Sequence, residues 1–86
     1  MSDPEIRFHP HAIVRMKERG TTEDEVTRTL LSGEVVPAKF GRSCFRHNFS
    51  FESEWWGRYY SNKQVEALAV KENEYWLVIT VIVKFF

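Results

Sequence analysis

The chain has 86 residues, 43% hydrophobic and 28% charged, with twelve basic and twelve acidic residues and hence no net charge. That length holds one modest core, so residues 1–86 are read as a single domain. A balanced charge excludes nucleic-acid binding driven by overall electrostatics and leaves only local patches for it, and one cysteine, Cys44, excludes an internal disulfide and a zinc set.

The opening "MSDPEIRF" is acidic and lacks an apolar h-region, so no signal peptide is expected. Ile6–Phe8 reads as a short strand. "PHAIVRMKER" follows as a helix over Pro10–Arg19, with Pro10 tolerated in the first turn and Gly20 suited to the left-handed cap. Ala12, Ile13 and Met16 share its core stripe, and His11 and Arg15 lie beside it. The spacing of four places those two side chains about 5–6 Å apart at Cβ. In "TTEDEVTRTLLSG" Thr22 and Glu25 have capping-box spacing, Gly33 closes the helix, and Val26, Leu30 and Leu31 face inward. The link "GT" between the helices predicts an antiparallel helical hairpin.

From Glu34 the period changes to two. "EVVPAKF" is a short strand with Pro37 marking an edge or a bulge. "RSCFRHNFSFE" alternates, with Phe45, His47, Phe49 and Phe51 on one face and Cys44, Arg46, Asn48 and Ser50 on the other. "SEWWGRYYSN" reads as an aromatic loop with room for a short strand, and "KQVEALAVK" as a third strand. "EYWLVITVIVKFF" is a long final strand whose apolar run predicts an interior position. Its apolar part contains Lys84 and is too short for a membrane span, so no membrane contact and a cytoplasmic location are expected. The predicted fold is α+β, two N-terminal helices packed on one face of a mainly antiparallel four-stranded sheet.

His11-Ala12, Arg15-Met16 and Arg19-Gly20, then the capped helix "TTEDEV", "SGE" and a terminal "ITV" strand, resemble the small RelE/ParE-like toxin superfamily. The similarity is greatest to its group of domains of unknown function that includes relatives of the BrnT toxin, and it covers roughly residues 7–83. The resemblance implies a RelE-like, microbial-ribonuclease-like fold and a metal-independent endoribonuclease of a toxin–antitoxin pair. It further implies RNA as substrate and a small antitoxin-like protein as partner. The chain departs from the RelE-type pattern at its end, "VKFF", where only Lys84 is polar, so that catalytic set is not carried over.

Metal-free RNA cleavage needs a proton-transfer group and cations for the phosphorane. Histidine titrates near neutrality and arginine offers a planar fork to phosphate. The candidate catalytic residues are His11, Arg15 and Thr80, expected to share one cleft with Arg46. Arg19, Arg46, His47, Arg58 and Tyr59 are the candidate substrate-binding residues. The aromatics Trp55, Trp56, Tyr59 and Tyr60 around Arg58 can stack unpaired bases. Each has a plainer role. His11 can be a solvated histidine, and Arg15 and Arg19 can pair with Glu18, Glu23 or Asp24. His47 can be a core-edge group, and Thr80 a strand former. "WWGRYY" can equally be a protein-binding surface of a non-catalytic module. No cofactor or metal is expected, because His9 and His11 face differently and Cys44 has no activating neighbour.

Overall fold

The computed structural model describes residues 4–86. In chain order these form β1 (Glu5–Phe8), α1 (Pro10–Arg19), α2 (Glu23–Ser32), β2 (Glu34–Pro37), β3 (Arg42–Trp55), β4 (Arg58–Lys71) and β5 (Tyr75–Phe85). The fold is α+β as expected, but the sheet is mixed and five-stranded, in the order β1-β5-β4-β3-β2. β1 is the added strand. It runs parallel to β5 from Glu5↔Tyr75 to Phe8↔Val78, while all other pairs are antiparallel.

The helices begin and end where their capping residues dictate. His9 caps α1 by accepting the His11 N–H on Nδ1 at 3.0 Å, and Gly20 ends it at φ +81°. In α2 the Thr22 hydroxyl accepts the Glu25 N–H and the Glu25 carboxylate accepts the Thr22 N–H, both at 3.2 Å. Ala12, Met16 and Val26 are buried against Phe45, Val65, Ala67, Ala69, Val78 and Val81, with Ile13 and Leu30 half-buried beside them. Leu31, expected inside, is exposed. The helices share one sheet face, but not as a helical hairpin. α1 rests on β5 and α2 on β4 and β3, with little contact between the two. Each stripe finds its partner in the sheet, so neither helix needs the other.

Register assigns the two sheet faces, because directly opposed residues point the same way. Phe45, His47 and Phe49 oppose Ala67, Val65 and Lys63 on the helix-covered face. Cys44, Arg46 and Asn48 oppose Leu68, Glu66 and Gln64, which oppose Thr80, Ile82 and Lys84, all on the uncovered face. The final strand is interior only over Tyr75–Val78, where β1 flanks it; beyond Val78 its outer side has no strand among the described residues. There Arg19 donates to the Val81 carbonyl, tying the end of α1 to that edge.

In the stretch expected as an aromatic loop, the short strand allowed for there takes up nearly all of it. β3 and β4 pair as far as Trp55↔Arg58, and only Trp56 and Gly57 turn the chain. Their φ values of +53° and +76° fit the left-handed pair of a two-residue hairpin turn. A bulge between Ser50 and Ser53, with Glu52 at φ +46°, bends the hairpin before its tip.

Candidate functional site

The structure brings the first two candidate residues together and separates them from the rest. On the exposed edge of α1, Arg15 Nε donates to His11 Nε2 at 3.4 Å and Arg15 Nη1 pairs with Glu18 Oε1 at 2.8 Å. Arg19 turns instead to the Val81 carbonyl. Thr80 and Arg46 lie on the uncovered face, with the sheet between them and the helices. The expected single cleft of His11, Arg15, Arg46 and Thr80 is therefore absent. Alternation sorted the strand residues into two sets correctly, but could not say which set the helices cover.

Arg46 sits between two carboxylates, 3.7 Å from Glu34 and 3.7 Å from Glu66. Its charge is thereby directed to neighbours on its own sheet. Cys44 donates to Glu66 Oε2 at 3.5 Å, and burial, then this bond, pushes its thiol pKa up, so it is not poised as a thiolate. His47 packs edge-on to Phe49 with ring centroids 4.7 Å apart, on the covered face. It behaves as a core-edge group.

Arg58 and Tyr59 lie at the β3–β4 tip, a second locus. Here Phe85, Trp55 and Trp56 form a stack: Trp55 lies 5.3 Å from Phe85 and 5.8 Å from Trp56, with interplanar angles of 18° and 16°. The Trp55 ring also covers Gly20, so closely that a Cβ there would strike it. That contact fixes the tip against the C-terminal end of α1, some 12 Å along the helix from His11. Trp56 ends the stack in solvent, 85% exposed, beside Tyr59 at 60%. Glu52, Glu54 and Arg58 are exposed around it.

Sequence reasoning missed one buried ionic cluster. Lys63, 5% exposed, donates to Glu25 Oε1 at 2.7 Å and to the Gly20 carbonyl at 3.0 Å. The same carboxylate oxygen accepts the Thr21 hydroxyl at 2.9 Å. The cluster ties the start of α2 and the end of α1 to β4. It is a structural brace, since its charges are spent on one another. Among the described residues no group of three His, Cys, Asp or Glu could hold a metal, and no helix is long and apolar enough to cross a membrane.

Residues 8–83 match the family DUF4258, a domain of unknown function, and the chain belongs to it. No curated protein and no solved structure matches the chain.

Proposed function

We propose that this domain is a non-catalytic binding module whose β3–β4 tip holds a protein partner. The observation that carries this reading is Trp56, a bulky, solvent-exposed side chain at φ +53°. Asparagine is preferred at that turn position, and a bulky residue there is a backbone outlier. Strain held at a side chain that stacks on Trp55 by one face and is otherwise open to solvent favours a role in recognition. Tryptophan, tyrosine and arginine are also the usual anchors of protein interfaces. The flanking charges favour protein over nucleic acid, because a phosphate backbone at the tip meets Glu52 and Glu54 for one Arg58. The complementary partner surface is an apolar slot for the indole with a cationic rim.

The second reading is an RNA-directed, metal-independent endoribonuclease of a toxin–antitoxin pair, with a small antitoxin-like protein as partner. The His11–Arg15 contact favours it, since one group can move a proton and the other bind a phosphate oxygen. Against it, Glu18 already holds Arg15, and Thr80 and Arg46 cannot reach the same substrate atoms.

A photo-crosslinking phenylalanine derivative in place of Tyr59 tests the first reading in cells. The expected result is a discrete protein adduct that disappears with Trp56→Asn. That variant should melt at or above the parental temperature, because asparagine relieves the turn. An adduct indifferent to Trp56→Asn, or adducts with RNA alone, would overturn the reading.

A further inference from the structure

Among the described residues, the order of strands leaves β3 with no neighbour on its outer side beyond Arg46, where β2 begins its pairing at Glu34. Alternation identifies the backbone groups left there. Asn62 exchanges both amide bonds with Phe86, at 2.8 and 3.0 Å, so even-numbered residues of β4 turn toward β5 and odd-numbered ones toward β3. Lys63 and Val65 therefore bond to Phe49 and His47, their register partners. It follows that the N–H and C=O of Asn48 and Ser50 point away from β4, past the end of β2.

Along this edge runs α2, and between them lies an open groove of about 770 Å³. Asp24, Glu25, Thr27 and Arg28 form its helical wall, and Phe49 and Ser50 its sheet side. Glu25 is tied to Lys63, whereas Asp24 and Arg28 are exposed and form no ion pair among the described residues. The open edge of β5 is guarded by Arg19 on the Val81 carbonyl. Among the described residues, no side chain bonds to the outward backbone of Asn48 or Ser50.

We infer that this groove takes an extended peptide segment of a partner protein, which adds as a sixth strand along Asn48–Ser50. Donor and acceptor pairs repeating at strand spacing complement an extended chain, and unpaired edges of this kind are templates for strand addition. The charges on the wall specify the segment further. Asp24 and Arg28 are separated by about 6 Å along the helix, close to the ~6.7 Å between alternate side chains of a strand. The segment therefore carries a basic and an acidic side chain on one face, two residues apart. The groove and the tip are separate surfaces, and this inference stands without the reading of Trp56.

The test uses two capped nine-residue peptides of alternating valine and threonine, each with one glutamate and one lysine two residues apart, in opposite orders. Two-dimensional amide NMR on the intact chain reads the result. One order should shift the Asn48 and Ser50 amides and slow their exchange with solvent. Ser50→Pro removes an outward N–H without touching the β3–β4 ladder and should abolish the effect. Arg28→Glu, which leaves the backbone intact, should weaken binding about tenfold, a difference of 1.4 kcal/mol. Trp56→Asn should leave binding unchanged, which separates this site from the tip. Failure of both peptides to perturb Asn48 and Ser50 at ~1 mM, or unchanged binding in Arg28→Glu, would overturn the inference.

Discussion

Replacing Lys63 with methionine is expected to destabilise the domain by about 3 kcal/mol, the scale for breaking a buried ion pair from one side. Methionine matches the aliphatic stem, so little packing is lost. What is lost is the donor to the Gly20 carbonyl and the cation 2.7 Å from Glu25. The Glu25 side chain is only 25% exposed, so water cannot replace that cation fully. The same carboxylate caps α2 and accepts from Thr21, so its disturbance spreads to the junction between the helices. Adding Glu25→Gln removes the stranded charge while keeping the capping geometry, and should recover part of the loss. Urea denaturation of the two single variants and the double variant measures this. A change under about 1 kcal/mol in Lys63→Met would show that the cluster is not a brace.

Gly33→Ala should cost a similar amount, about 3 kcal/mol, by overpacking. Gly33 has φ −81°, so alanine suffers no conformational penalty there. The obstacle is space, because an added Cβ would press on the carbonyl oxygens of Thr29 and Arg46. Both are backbone atoms, one closing α2 and the other belonging to β3, and neither can rotate aside. Gly57→Ala provides the contrast. Its Cβ meets nothing, and only its φ of +76° resists, a penalty of about 1 kcal/mol. The same denaturation curves rank the two, and an order with Gly57→Ala the worse would contradict the packing described at the end of α2.

What was legible in the sequence follows from how local each signal is. Both helices appear within a residue or two of their expected ends, because Gly20 and the Thr22–Glu25 pair act on the adjacent turns. Alternation in β3 correctly separated Phe45, His47 and Phe49 from Cys44 and Arg46. It could not choose the face beneath the helices, since that choice depends on pairing between distant segments. Alternation alone therefore leaves Thr80 and Arg46 compatible with the His11 cleft. The short β1 is held by a parallel partner seventy positions away, which no local pattern records. The tight turn at the tip is hard to see in the sequence, because tryptophan is a poor residue for its first position. Lys63 was the missed opportunity. It shares alternation with Val65, Ala67 and Ala69, and a lysine in phase with a buried row calls for a buried anion.

If the proposed function lies at the hairpin tip, His11 has no catalytic part. Incubation of the purified chain and its His11→Asn variant with single-stranded RNA, followed by gel separation of the products, tests this most directly. The predicted result is intact RNA with both proteins. Cleavage by the parental chain that His11→Asn abolishes, with folding unchanged, would contradict the account and move the function to the exposed edge of α1.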